Sequence, residues 1–149
     1  MERRVFLVGP AALGLLTACG ATGPGSVTIA ASGAAGMNKA ADGTDRPVTL
    51  MVIQMRGTGA FDTADYFALQ NPSAALGADF VSADTIALAP GGSASKTITL
   101  DGTTVAVGVV AGFINPAGKI FRAKAPVSAK GAAVFTVSVG AGGLTLSAK

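Results

Sequence analysis

The amino-acid sequence predicts an all-β protein, an antiparallel β-sandwich of about eight strands with one short inserted helix. From Val27 onward, most of the chain consists of short apolar runs with a period of two residues, which is typical of strands. Gly, Pro, Asn and Asp separate these runs at regular intervals, as turns require. Residues 60–72 have helical spacing instead. These patterns favour two packed sheets in a single domain.

The strands follow from the individual apolar runs. Residues 48–55, VTLMVIQM, are apolar on both faces and indicate a central strand. In TVAVGVVAGF, residues 104–113, small residues including Gly108 and Gly112 share one face, so we expect another element to pack closely there. The other predicted strands begin at Val27 and lie at residues 85–89, 96–100, 119–125, 134–139 and 144–148.

The dipeptide Asp101-Gly102 lies between the fourth and fifth predicted strands. A two-residue hairpin turn of type I′ needs positive φ angles, which Asp-Gly adopts readily. The sequence therefore predicts that these two strands form a hairpin.

The helical segment is AFDTADYFALQNP, residues 60–72. Apolar residues recur at helical spacing from Phe61 onward, Asp62 is placed to cap the helix, and Asp65 follows three residues later. Negative charge near a helix start interacts favourably with the free N–H groups there. We expect Asn71-Pro72 to end the helix.

An export signal is predicted at the amino terminus. A short charged start precedes an apolar run at residues 5–18 that contains Gly and Pro, and this run is shorter than the roughly 20 apolar residues that span a bilayer. The chain has one cysteine, Cys19, and no histidine. An intrachain disulfide is therefore excluded, and no metal site is expected.

Leu16, Thr17, Ala18 and Cys19 resemble the lipobox of bacterial lipoproteins. This resemblance implies signal cleavage between Ala18 and Cys19 and lipidation of Cys19. Several acyl chains make a lasting membrane anchor, whereas one chain alone binds only marginally. The predicted organisation is a signal peptide at 1–18, a lipidated Cys with a flexible tether at 19–25, and a sandwich domain at 26–149. The alternative is that Cys19 is an ordinary residue of an uncut signal or a buried strand.

The composition argues against catalysis and nucleic-acid binding. The chain has no His, and its only Glu lies in the signal, so the usual general acids and bases are scarce. Its net charge is +3 with no Lys/Arg cluster, which gives nucleic-acid binding no support. We predict no catalytic residue and no cofactor. Ser93 and Lys96 match S-x-x-K, the nucleophile motif of serine β-lactamases and penicillin-binding proteins, but the companion motifs S-D-N and K-T-G are missing. We interpret Ser93 and Lys96 as solvated residues at the start of a strand.

Two other side-chain groups have ordinary structural interpretations. Arg122 and Lys124 share a face of one predicted strand, and we expect a solvated face that protects a sheet edge rather than an anion site. The aromatic residues of the helical region are expected to form core under the helix rather than a ligand box: Phe61, Tyr66, Phe67 and Phe80.

The order of these segments resembles the type VI secretion outer-membrane lipoproteins of the TssJ family, also called VasD or SciN. The similarity covers most of residues 26–148, and its most specific parts are residues 54–69, the turn Pro90-Gly91, and the strands around Asp101-Gly102 and Phe113. The resemblance implies a transthyretin-like sandwich that is not an enzyme. It also implies a lipid-anchored protein of a Gram-negative outer membrane, with its domain in the periplasm. Gly20 stands where an Asp would favour inner-membrane retention.

The same resemblance implies a partner. Members of the family bind the periplasmic C-terminal region of TssM, an IcmF-like inner-membrane protein, and several copies are expected in the membrane complex. Two alternatives remain open from the sequence. One is a stand-alone lipoprotein sandwich that binds a small ligand or a surface, and the other is a hydrolase that uses the Ser93/Lys96 pair.

In the family, the partner-binding element is chiefly the loop between the first two strands. Here it corresponds to SGAAGMNKAADGTDR, residues 32–46. Loops of this length in a compact domain are usually functional or disordered, so a loose surface connection is the alternative. The candidate contact residues are Asn38, Lys39, Asp42, Asp45 and Arg46.

Strand direction extends this candidate surface. If the strands run alternately up and down, the connections after the odd-numbered strands share one end of the sandwich. Pro90 to Ala94 and Ile114 to Gly118 are therefore expected beside the 32–46 loop. The candidate adjoining residues are Gly91, Gly92, Asn115 and Pro116.

Overall fold

The structure is a computed structural model and describes residues 23–149. The predicted signal peptide, its cleavage point between Ala18 and Cys19, and the lipid attachment at Cys19 lie outside the described residues. Within residues 23–149, no helix has the length and apolar character needed to cross a membrane.

Two four-stranded sheets form a sandwich, as the sequence predicts. The strand order is β4-β1-β7-β8 in the first sheet and β3-β2-β5-β6 in the second. Alternating residues of both sheets meet between them, because successive side chains of a strand point to opposite faces. The strands are β1 Ser26–Gly33, β2 Val48–Met55, β3 Phe80–Leu88, β4 Ser93–Thr99, β5 Ala106–Gly112, β6 Arg122–Pro126, β7 Ala132–Gly140 and β8 Gly143–Ala148.

One pair of neighbouring strands is parallel. Strands β1 and β7 pair in parallel register, from Ser26 opposite Ala132 to Gly33 opposite Val139, whereas the other paired strands are antiparallel. Both strands have odd numbers in a chain whose strands alternate in direction. They therefore run the same way, and the sandwich is not antiparallel throughout.

The core has two parts, one on each face of the second sheet. The larger cluster lies between the sheets, and a smaller one lies between the second sheet and the segment that connects β2 to β3. Strand β2 contributes to both clusters, through Leu50 and Val52 on one face and Ile53 and Met55 on the other. This confirms its predicted central position.

The β2–β3 connection contains a short inserted helix, as predicted, but further short helical elements follow it instead of one helix across residues 60–72. It consists of α1 Gly59–Thr63, a 3₁₀ turn Ala68–Gln70, α2 Pro72–Leu76 and a second 3₁₀ turn Gly77–Asp79. Met55 and Phe80 are paired residues of neighbouring strands, so this connection must leave and return to the same place, which one straight helix cannot do. The predicted end at Pro72 is wrong, because proline is the first residue of α2, where its missing N–H costs nothing.

The predicted hairpin at Asp101-Gly102 is also wrong. Strand β4 belongs to the first sheet and β5 to the second, so the connection crosses between sheets. Gly102 does not adopt a positive φ. Instead, Asp101 Oδ1 accepts hydrogen bonds from the Thr103 hydroxyl at 2.6 Å and the Thr103 N–H at 2.9 Å. These bonds lower the pKa of Asp101, with the hydroxyl bond as the largest cause.

A buried glutamine explains why the chain crosses here. The Gln54 side chain lies at the end of β2, and its Oε1 accepts hydrogen bonds from the Asp101 N–H at 2.9 Å and the Thr104 hydroxyl at 2.8 Å. Its Nε2 donates to the Thr99 carbonyl oxygen at 3.0 Å. Both ends of the amide are thus satisfied in the core, and the crossover is fastened to the second sheet.

The expected close packing against the small-residue face of β5 is confirmed. A Cβ on Gly108 would lie 2.7 Å from the Phe61 ring, whereas a Cβ on Gly112 would meet only the Thr49 carbonyl oxygen at 3.4 Å. We therefore expect Gly108→Ala to lower the free energy of unfolding by about 1–3 kcal/mol through overpacking.

Gly112→Ala in the same strand is the matched control and should be nearly neutral. Urea denaturation measures the free energy of unfolding of both variants. Equal stability of the two would contradict the contact between β5 and Phe61.

Candidate functional site

Four connections meet at one end of the sandwich, which we call the loop end. They are the β1–β2 loop (residues 34–47), the β3–β4 turn (89–92), the β5–β6 loop (113–121) and the β7–β8 turn (141–142). The N–H of Gly33 donates to the Gly92 carbonyl oxygen at 2.9 Å, and the N–H of Ile114 donates to Asn38 Oδ1 at 2.9 Å. The structure thus brings together the connections that strand direction predicts.

The β1–β2 loop is a small hydrogen-bonded hairpin. Lys39 and Asp45 form an antiparallel bridge, and the N–H of Ala40 donates to the Thr44 carbonyl oxygen at 2.8 Å. The Asp42 carboxylate accepts the Thr44 N–H at 2.9 Å, and this bond is the largest cause of a lowered pKa at Asp42. The predicted loop, 32–46, starts within β1, which continues to residue 33.

Asn38 fastens this loop to its neighbours. Its side chain is 2% exposed, accepts the Ile114 N–H, and donates to the Pro47 carbonyl oxygen at 2.9 Å. Its own carbonyl oxygen accepts the Arg46 N–H at 2.9 Å. Asn38 therefore positions the loop, and the structure keeps its side chain away from the surface where sequence analysis expects a partner contact.

Asp45 also has an internal role. Its carboxylate accepts hydrogen bonds from the N–H groups of Gly36 and of Asn38, the latter at 3.2 Å. Between these two, Met37 is fully buried in the larger core cluster. The first half of the loop is thus held from inside by a carboxylate and a core side chain.

The remaining candidate residues lie on the surface. Lys39, Asp42 and Arg46 are exposed, and Arg46 lies 3.9 Å from Asp42 with both side chains more than half exposed. Ion pairs of this kind contribute little stability. Of the adjoining residues, Gly91 and Asn115 are exposed, while Gly92 and Pro116 are half-buried. Gly91 has a φ of 68°, which a turn after Pro90 accommodates through glycine.

Sequence analysis places Ile114 in the segment beside the β1–β2 loop, but it does not assign Lys119 and Ile120 of the β5–β6 loop to this surface. Lys119 Nζ donates to the Met37 carbonyl oxygen at 3.3 Å and lies 4.7 Å from the centroid of the Phe113 ring. Ile114 and Ile120 are exposed at 55% and 59%. Their signal in the sequence is a pair of large apolar residues on either side of a turn, where polar residues are usual.

The S-x-x-K residues do not form a catalytic pair. Ser93 and Lys96 are three positions apart in β4, so their side chains point to opposite faces of the strand. Lys96 Nζ lies 3.4 Å from Asp84 Oδ1 on β3. This ion pair joins the edge strands of the two sheets.

Arg122 and Lys124 lie on edge strand β6, as predicted, but they do not form a free solvated face. Arg122 donates to the carbonyl oxygens of Phe61, at 2.9 Å, and Ala64, and Lys124 forms an ion pair with Asp62. Both side chains thus fasten α1 to the second sheet. Asp62 makes no cap on α1.

The other helical-region predictions have mixed outcomes. Asp65 accepts the N–H of Ala68, the first residue of the 3₁₀ turn, at 2.7 Å. Phe61 is core, but Phe67 is 77% exposed. The Tyr66 hydroxyl donates to the Phe113 carbonyl oxygen at 2.7 Å, and burial raises its pKa despite that bond. Tyr66 therefore attaches the insertion to the loop end.

Within the described part of the chain, no group of His, Cys, Asp and Glu side chains is arranged to hold a metal ion. The exposed surface of the loop end consists of main-chain groups, a few charged side chains and apolar side chains.

Residues 25–142 match the family model of the type VI secretion lipoproteins VasD, EvfM and TssJ. The chain belongs to this family. It is 30% identical to the crystal structure of the type VI lipoprotein TssJ1 from Pseudomonas aeruginosa, with a TM-score of 0.77 over 85% of this chain and 98% of that one. No curated protein sequence matches it.

Two further solved structures contain a similar chain. One is a type VI membrane complex, with 25% identity and a TM-score of 0.70 over 82% of this chain and 97% of that one. The other is the TssM C-terminal domain from EAEC, with 24% identity and a TM-score of 0.68 over the same shares. The similarity to the chain in the TssM structure shows the fold alone. The family is one of structural lipoproteins of the secretion system and is not known for enzymes.

Asn38 offers a test of how the loop is held. We expect Asn38→Ala to lower the free energy of unfolding by about 1–3 kcal/mol, because the Ile114 N–H and the Pro47 carbonyl lose their buried partner. Amide hydrogen exchange should become faster at Ile114 in particular.

The control is Asn115→Ala, whose exposed side chain accepts only the Ala117 N–H at 3.3 Å. It should change the urea midpoint little. Unchanged exchange at Ile114 in the Asn38 variant would refute the positioning role.

Proposed function

We propose that this chain is an outer-membrane lipoprotein of the type VI membrane complex, anchored by lipid on Cys19, and that its loop end docks the periplasmic C-terminal region of TssM. The domain faces the periplasm, and several copies take part in the complex. The role is structural and not catalytic. The observation that carries the proposal is the position of the loop end opposite the point where the chain enters the sandwich.

The entry point is fixed by main-chain hydrogen bonds. The N–H of Gly25 donates to the Ala129 carbonyl oxygen at 2.7 Å, and the N–H of Ser26 donates to that of Gly131 at 2.8 Å. We call this the tether end. Strand β1 then runs for 8 residues, about 25 Å, to the loop end.

A lipid at Cys19 would orient the domain. Cys19 lies six residues before Gly25, and an extended tether of that length spans at most about 20 Å. The tether end therefore stays near the lipid, and the loop end faces away from it. A partner that reaches across the periplasm from the inner membrane would meet the loop end first.

The comparisons support an assembly role. The chain belongs to a lipoprotein family of the secretion system, and chains of its fold occur in the structures of a type VI membrane complex and of the TssM C-terminal domain. The β1–β2 loop is the longest of the four connections at the loop end. Lys39, Asp42 and Arg46, around its hairpin tip, are exposed.

Docking is tested by exchanging the hairpin tip. Replacing residues 40–44 with Gly and Ser at unchanged length should weaken binding of the periplasmic region of TssM about tenfold or more, since central contacts dominate interfaces. Titration of the full chain, purified in detergent, measures the affinity.

The control is the same exchange at residues 128–130, an exposed or half-exposed turn at the tether end. It should bind as the wild type does. If the wild-type chain forms no complex with TssM at micromolar concentrations, docking is refuted and a stand-alone lipoprotein becomes the better interpretation.

The anchor is tested separately with Cys19→Ser. This variant should move from the membrane to the soluble fraction while its urea midpoint stays unchanged, because both core clusters consist of residues from Val27 onward. Mass spectrometry of the wild type should find acyl chains on Cys19. Unchanged sedimentation of Cys19→Ser with membranes would contradict the lipid anchor.

A further inference from the structure

An apolar groove opens at the loop end beside the β7–β8 turn. Its volume is about 460 Å³, and no charged side chain lines it. Val139 and Leu144 lie buried at its base, while Ile120 stands at its rim, 59% exposed. The groove thus combines a preformed apolar hollow with a large apolar side chain directed at solvent.

Main-chain hydrogen bonds hold the walls of the groove in place. The N–H of Ala34 donates to the Val139 carbonyl oxygen at 2.8 Å, and the N–H of Leu144 donates to that of Ile120 at 2.8 Å. Gly143 has a φ of 119°, and a Cβ there would overlap the Ile120 main chain. Because the walls are already ordered, the groove itself would lose little conformational entropy on binding a ligand.

The groove is continuous with the β1–β2 loop. Ala34, which lines the groove, is the first residue of that loop. The tether end lies about 25 Å away along β1. The segment from Cys19 to Gly25, at most about 20 Å long, is too short to fill the groove.

We propose that this groove receives apolar side chains of the TssM segment that the β1–β2 loop docks. The inference rests on the proposed function and adds the chemistry of the contact. The exposed charges of the loop are Lys39, Asp42 and Arg46, of which Asp42 and Arg46 face each other, and the groove itself has none. The apolar contact in the groove therefore adds to the affinity, and this contribution depends only weakly on salt.

The test fills the groove or removes its rim. Gly142 is exposed, its φ is not positive, and a Cβ there has no atom within 4 Å, so Gly142→Trp is compatible with the fold and places a large ring at the groove. Ile120→Ser removes the apolar rim. Each variant of the full chain, in detergent, should bind the periplasmic region of TssM about tenfold or more weakly than the wild type.

Two controls separate occupation of the groove from other effects. Gly142→Ser leaves the groove open, and Val105→Ser removes another exposed aliphatic side chain, 49% exposed, at the tether end. Both should bind as the wild type does. Raising the salt concentration about tenfold should change the ratio of the wild-type to the Ile120→Ser affinity by less than about threefold.

Each outcome decides the proposal. Wild-type affinity in folded Gly142→Trp and Ile120→Ser overturns the groove contact while the docking function stands. Absence of binding by the wild type refutes the docking function itself. Self-association of the wild type that Gly142→Trp abolishes would assign the groove to a second copy of this chain and would also overturn the proposal.

Discussion

Burial of strand β2 on both faces is the constraint on which the rest of the structure depends. One face of β2 closes the sandwich, and the other requires a cover, which the β2–β3 connection provides through Phe61 and Leu69. Gly108 lets this cover approach β5, and Arg122 and Lys124 fasten it from the edge. At the end of the strand, Gln54 holds the crossover between the sheets. One apolar strand thus determines the insertion, the edge and the crossover.

The loop end is organised by polar side chains that bind main-chain groups, one of them buried and two half-buried, rather than by its exposed charges. Asn38 and Asp45 use their side chains on main-chain groups within and beside the β1–β2 loop, and Lys119 binds the Met37 carbonyl from the opposite loop. Satisfied buried polar groups specify one arrangement, because any other leaves a donor or acceptor unpaired. The surface of the loop end is therefore shaped by the chain's own hydrogen bonds.

The sequence was sufficient for the number of strands, the sandwich and the grouping of the loops, because these follow from two-residue periodicity and alternating direction, but β3 begins at Phe80 and not at the predicted residue 85. That same alternation already requires β1 and β7 to be parallel if they are neighbours, but no local pattern reveals which strands pair. The Asp101-Gly102 hairpin failed for this reason, since a turn motif does not show whether its strands enter one sheet or two. Asn38 resembled a contact residue because a polar side chain in a loop gives no sign that its partners are buried main-chain groups.

Both edge strands of the second sheet carry residues that discourage pairing with another chain, which matters for a protein held at a membrane surface. Strand β6 carries Arg122, Lys124 and Pro126, and Asp84 on β3 is paired with Lys96. Charge and proline at a sheet edge discourage pairing with a foreign strand. Confinement to a two-dimensional lipid layer, as we propose for this protein, raises the frequency of sideways collisions between copies. Such edges would let copies of the protein lie side by side in the membrane without forming intermolecular β-sheets.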